Sequence, residues 1–180
     1  MLGEIPIMRF FPKYARIWYY SMAEDRNHIE EAEAILAELE TIAEKNPTAG
    51  LGAMALFARA GVYRLRQEFS EAAPVAERAI GLFTMLPQDQ RLFLRAYILG
   101  DIHRQAGQLE KAEAEILAGL KLEPSHPFFH AMLGLTYKDM GRFEDAVTHL
   151  EKAMEIWKDA DPDFKPAREP REALSELKTE

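Results

Sequence analysis

Laid against itself at an offset of 34 residues (134 − 100 = 34), the second half of the chain repeats. Leu99-Gly100 meets Leu133-Gly134, Gly107 meets Gly141, and Leu109 meets Phe143. Glu110 meets Glu144, Ala112 meets Ala146, and Ile116 meets Leu150. A fixed period of this size constrains the fold more than any composition does. Each period is one supersecondary unit that buries its apolar face only against its neighbours. At an offset of 40 the pattern continues upstream: Ala60, Tyr63, Phe69, Ala72, Ala76 and Ala79 precede Gly100, His103, Leu109, Ala112, Ile116 and Gly119. A further step of 40 reaches Tyr20, Ala23, Ile29, Ala32, Leu36 and Leu39. Four units are therefore expected, at 13–52, 53–92, 93–126 and 127–158.

Within a unit the apolar spacing is helical. Ala96, Leu99, Gly100 and His103 recur at three and four residues, one face of a helix. Gly107 follows as a left-handed helix stop, and Ala112, Ile116 and Leu120 begin a second amphipathic stretch. Gly inside a helix costs about 1 kcal/mol against Ala, so its return at Gly100 and Gly134 marks close helix crossing. Asn46-Pro47, Leu86-Pro87, Pro124 and Pro127 break the chain between units.

The last unit reads Leu133, Gly134, Tyr137, Gly141, Phe143, Ala146, Leu150, Ala153. With the third unit's Leu99, Gly100, Gly107, Ala112, Ile116, Gly119 and Pro124, it resembles the tetratricopeptide repeat. The third unit departs from that pattern with His103 in place of Tyr, and the second with Arg59-Ala60 in place of Leu-Gly. The resemblance implies an all-α fold: a right-handed superhelix of about four helical hairpins plus a C-terminal capping helix. The cap is expected at 167–178, with Ala173, Leu174 and Leu177 on its inner side, inside a terminal region of linker and cap at 159–180. The apolar segment 1–12, with Pro6 and Pro12, is expected to fold over the first unit or into a groove, its own or a second copy's.

Composition then removes function classes. The 180 residues hold no Cys, which excludes disulfides, thiolate metal sites and a thiol nucleophile. The formal charge of −8 lacks the basic footprint of a nucleic-acid binder. Charge-free stretches are too short to span a bilayer, and the one at 46–58 holds Pro47, Gly50 and Gly52. The N-terminal residues lack a basic region followed by an apolar core, so a cytoplasmic location is expected. His126 and His130 are four apart but have only Glu123 nearby as a third ligand, so they are read as structural histidines and no metal or cofactor is expected. No serine sits in a glycine elbow or an S-x-x-K context. The runs of glutamate at 30–44 and 110–115 read as solvated faces of second helices.

What remains is surface, and a chain without catalysis. In tetratricopeptide folds the first helices line a concave groove where partners bind. On that resemblance the inward residues are Tyr14 and Ile17 in the first unit and Met54, Phe57 and Arg64 in the second. They are Leu94, Tyr97, Asp101 and Arg104 in the third, and Phe128, Leu135 and Lys138 in the fourth. The carboxylate clamp of the chaperone-binding class needs cations in slots that here hold Ile17, Ser21, Tyr97 and Phe128, so it is not expected. An apolar strip with a mixed-charge border suits an apolar peptide or helix of a partner protein. The expectation is a non-enzymatic interaction module, adaptor or chaperone-like. The alternative is a scaffold subunit or homodimer whose groove its own N-terminal segment covers.

Overall fold

The computed structural model describes residues 6–161 and 164–179, and no strand occurs among them. The chain divides into two compact units, Met1–Pro87 and Gln88–Glu180. The first unit holds α1 (Pro6–Ala23), α2 (Ile29–Lys45), α3 (Ala49–Leu65) and α4 (Phe69–Leu82). The second holds α5 (Gln88–Leu94), a π turn (Arg95–Leu99) and α6 (Gly100–Gln105), which run on without a break. α7 (Leu109–Leu122), α8 (Pro127–Asp139), α9 (Phe143–Ile156) and α10 (Lys165–Leu177) follow. These are the four expected hairpins and the cap.

One turn joins first to second helix in every hairpin. The amide of Asp25 donates to Tyr20 O at 2.9 Å. Glu68 donates to Tyr63 O, Gln108 to His103 O and Arg142 to Tyr137 O, each at 2.8 Å. Between them stands a residue with positive φ: Glu24 at 54°, Gln67 at 63°, Gly107 at 71° and Gly141 at 74°. This six-to-one bond around a left-handed residue satisfies carbonyls that a helix end would otherwise leave open.

The turn also gives the true register. Tyr20, Tyr63, His103 and Tyr137 are equivalent, with steps of 43, 40 and 34. The second helices start at Ile29, Phe69, Leu109 and Phe143, with steps of 40, 40 and 34. The sequence step of 40 is thus right for α2 and three residues off for α1. The cause is a 3₁₀ turn at Arg26–His28, present in the first hairpin and in no other described hairpin. In the corrected register Ile17 stands where Ala60, Gly100 and Gly134 stand. That is the crossing point of the two helices: a Cβ on Gly134 would lie 2.7 Å from Leu150 Cγ and 3.0 Å from its backbone N.

Three of the first helices, α1, α3 and α5, begin earlier than the repeat boundaries suggest, and α8 begins at its boundary, Pro127. α3 starts at Ala49, where Thr48 Oγ1 accepts from the Leu51 amide at 3.2 Å. The apolar segment expected to fold over the first unit or into a groove is helical from Pro6 onward, and Phe10 is fully buried in the core of the first unit with Ile17, Ala32, Leu39 and Leu65. The groove-covering reading of this segment is therefore withdrawn for residues 6–12. Residues 1–5 lie outside the described ones. In the second unit, Ala96, Ala112, Ile116, Phe129, Leu133 and Ala146 form the main core. α10 closes its end with Ala173, Leu174 and Leu177 against Leu135 and Leu150.

The glutamate run on α2 does more than face water. Glu31 pairs with Arg16, Glu38 with Lys13, Glu40 with Arg59 and Glu33 with Arg66, tying α2 to α1 and α3. Arg95–Glu115 and Arg142–Glu113 do the same for α7.

Candidate interaction surfaces

In the first unit the expected inward residues fall into two groups. Ile17 and Phe57 are interior, at 0 and 1% exposure, and offer a partner no surface. Ile17 is there because of the register slip. Phe57 is there because the rings of Trp18 and Phe83 cover it, with centroids at 5.4 and 5.7 Å. Trp18 reaches Phe57 across Gly61, where a Cβ would meet Ile17 Cγ2 at 3.0 Å and Trp18 Cε2 at 3.8 Å.

Tyr14 and Met54 stay half-buried. Burial pushes the Tyr14 phenol up to about 12. Arg64 does not project freely: its Nη1 donates to Ser21 O at 3.1 Å and lies 3.1 Å from Met22 Sδ. It pins α3 to the end of α1.

In the second unit the aromatic residues gather. Tyr97, within the π turn, stacks on Phe128 with centroids 4.4 Å apart and on Phe93 at 6.2 Å. Phe93 continues to Phe129 at 5.2 Å and to His126 at 5.4 Å. Leu94, Tyr97 and Phe128 are half-buried, so each keeps an apolar edge in water. Phe93 and His126 were missed as members. Phe93 lies just inside its repeat boundary, one residue before Leu94, and His126 was read as a turn cap.

The cations expected along this groove are already engaged. Arg104, whose side chain is 8% exposed, lies between Asp139 at 3.2 Å and Glu169 of α10 at 3.1 Å. Burial alone would lower its pKa, but the carboxylates of Glu169, Asp101 and Asp139 outweigh that and hold it above the ordinary arginine value. Lys138 pairs with Glu176, also on α10. Leu135, 6% exposed, lies in the small core that α10 completes. Asp101 is half-buried beside Arg104. Of the seven residues expected on this side, Leu94, Tyr97 and Phe128 keep apolar surface, while Arg104, Leu135 and Lys138 are held against the capping helix.

Of the two histidines read as structural, His130 is held by hydrogen bonds. His130 Nε2 lies 2.9 Å from Pro124 O, a group that only accepts, so this nitrogen carries the proton. His130 Nδ1 is then an acceptor, and His149 Nδ1, 2.9 Å away, is the donor. Burial, then the neighbouring His130 and Lys152, pushes His149 down to about 4, and burial lowers His130 and His126 as well. Among the described residues no group of three or more His, Asp or Glu is arranged to hold a metal ion. No described helix is long and apolar enough to cross a membrane.

Tetratricopeptide-repeat family models match residues 96–126 and 131–160. These are the third and fourth hairpins, where the sequence pattern is cleanest. Among solved structures, the fold is similar to a Podospora anserina protein described as a kinesin light chain with nearly identical TPR-like repeats. The TM-score is 0.66 at 17% identity, over 98% of this chain and 88% of that one. No curated protein matches the sequence significantly.

Proposed function

Because the chain is a tetratricopeptide-repeat protein, and such repeats serve protein–protein interaction, we propose that it is a non-enzymatic module that holds an apolar peptide or helix of a partner protein. The observation that carries this reading is the aromatic ledge of the second unit. Tyr97 and Phe128 stack at 4.4 Å, are anchored from behind by Phe93 and Phe129, and keep a wet edge. Rigid aromatic anchors of this kind give contact area with little side-chain entropy to lose. Leu94 extends the same surface. In the second unit Leu135 supports this surface from within, and Asp101, Arg104 and Lys138 set its geometry rather than contact the partner. In the first unit Tyr14 and Met54 are the residues of the expected set that keep apolar surface, and we assign them a minor contact of their own; Ile17 and Phe57 lie beneath them in the core, and Arg64 holds α3 to α1. The adaptor or chaperone-like role rests on the same ledge.

The test is a display library of peptides carrying aromatic and aliphatic anchors, selected on the purified protein. Selected peptides are expected to bind Tyr97→Ala at least about tenfold more weakly than wild type, the loss of one hot-spot aromatic, with circular dichroism unchanged. Equal binding to wild type and Tyr97→Ala would sink the assignment.

A further inference from the structure

We propose that the outer face of α1 is a self-association surface, on which two copies of the chain pair antiparallel with Ala15 of one against Tyr19 of the other. The proposal is independent of the aromatic ledge and begins from repeat equivalence. Ala55, Ala58, Val62 and Leu65 form the face by which α3 docks on the preceding hairpin, and they are 7, 0, 3 and 2% exposed. The same face of α8 carries Phe129, Met132 and Thr136, all buried, the first two packed with Ala96, Ala112 and Ile116 of its preceding hairpin. Shifted by the 43 residues that the hairpin turns fix, the face falls on α1 at Pro12, Ala15, Tyr19 and Met22. All four are exposed, Tyr19 at 68% and Met22 at 42%, and Phe11 beside them is 58% exposed. The stripe thus repeats a face that the fold buries twice, and among the described residues no hairpin packs on it.

Spacings of three, four and three keep the four residues on one side of the helix. None of its four residues is charged. Lys13 and Arg16 of α1 already pair with Glu38 and Glu31 of α2, and Arg64, which touches Met22 at one end of the stripe, donates to Ser21 O, so the middle of the stripe presents no like-charge barrier to a second copy. The residues are graded in size: small at Pro12 and Ala15, large at Tyr19 and Met22. Turned about a two-fold axis near Ile17, the small half of one stripe faces the large half of the other, because 12 + 22 and 15 + 19 both equal 34. A parallel pairing would set Tyr19 against Tyr19. End-on stacking onto the last hairpin is blocked, since α10 covers it with Ala167, Pro170 and Ala173 buried. A stripe of this length falls short of the roughly 800 Å² per partner of a standard interface, so the dimer expected is a weak one, forming across the micromolar range.

Sedimentation equilibrium on the full chain is expected to show a mass rising from 20.5 kDa toward twice that value as concentration increases. Tyr19→Lys, at a mostly exposed site whose ring contact is the edge of Tyr20, is expected to shift that transition at least about tenfold to higher concentration. Ala15→Glu serves as the second variant should Tyr19→Lys fold poorly. Tyr97→Ala is expected to leave the transition in place. Because the chain has no cysteine, single substitutions report register directly. A mixture of Ala15→Cys and Tyr19→Cys chains is expected to form the mixed disulfide faster than either homotypic one, and faster than a Ser70→Cys control. A monomer at every concentration overturns the proposal, including the case in which a different protein occupies the stripe. So does a dimer indifferent to both Tyr19→Lys and Ala15→Glu, or homotypic crosslinking that outpaces the mixed product.

Discussion

At the residue scale, the four hairpin turns ask the same thing of four different side chains. The third and fourth turns answer with Gly107 and Gly141, whereas the first and second place Glu24 and Gln67 at positive φ. A left-handed conformation costs a residue with a Cβ about 1–2 kcal/mol relative to the right-handed one, part of which glycine gives back in unfolded-chain entropy. Gln67→Gly is therefore expected to stabilise the first unit by about 0.5–1 kcal/mol, and Gly141→Gln to destabilise the second by a similar amount. Urea midpoints check both, and a midpoint lowered by Gln67→Gly would show that its side chain contributes more than the strain removes. Gly134 poses the opposite problem. Its φ is ordinary, but a Cβ would press on the Leu150 backbone N at 3.0 Å as well as on the side chain. Backbone cannot rotate away, so Gly134→Ala is expected to cost about 1–3 kcal/mol despite its better helix propensity. A neutral or stabilising result in chemical denaturation would mean that α8 and α9 separate more easily than their packing implies.

At the scale of elements, periodicity revealed the packed part of each helix and little else. The hairpin count, the turns at Gly107 and Gly141 and the cap were legible because each repeats a residue type that one geometry demands. The extra turns at the starts of α1, α3 and α5 lie outside the period and were not. Pro12 suggested a break, yet α1 runs through it, held by Phe10 and Ile17 in the core. The candidate site was legible as a set of faces and not as a set of exposures. Tyr97 and Phe128 were found because they are large residues at inward slots. Ile17 was misplaced because a three-residue turn shifts no apolar pattern within either helix. Leu135 was misplaced because α10 covers it, a tertiary fact that helical spacing does not encode. α10 is thus a structural element rather than a tail: it buries Ala167, Pro170 and Ala173 and supplies Glu169 to Arg104 and Glu176 to Lys138. A chain ending at Ala160 is expected to lose on the order of 3–5 kcal/mol in the second unit, the burial of a few apolar side chains together with a buried cation left partly unpaired. Hydrogen exchange should show the amides of α8 and α9 losing protection. Unchanged protection there would mean that the last hairpin needs no cap.

For the whole molecule, the largest shifts fall on the Tyr14 phenol of the first unit and the His149 imidazole of the second, and burial also raises the Tyr137 phenol of the second unit, so the acid response separates the units more sharply than the alkaline one. Tyr14, in the first unit, is kept neutral by burial with its phenol pushed up to about 12. The unfolded chain loses that proton near 10, so stability is complete below 10 and falls as pH rises from 10 toward 12. His126, His130 and His149, in the second unit, are pushed down, His149 to about 4. The unfolded chain takes up those protons near 6.5, so stability is complete above 6.5 and falls as pH drops toward 4. The hydrogen bonds agree with the direction. With His130 Nε2 committed to Pro124 O and Nδ1 accepting from His149, a proton on His130 Nδ1 would set two N–H groups face to face. Lys152 and Arg142 add repulsion, which Asp145 offsets in part. Two intrinsic reporters separate the units, since Trp18 lies in the first and Trp157 in the second. With Trp18→Phe and Trp157→Phe each leaving one reporter, the urea midpoint read from Trp157 is expected to fall between pH 7 and pH 5, while the larger neutral-to-alkaline loss is expected at Trp18 and a smaller one, from Tyr137, at Trp157. His149→Phe should flatten the acid limb, and an acid limb of undiminished slope in that variant would assign the proton uptake to other groups.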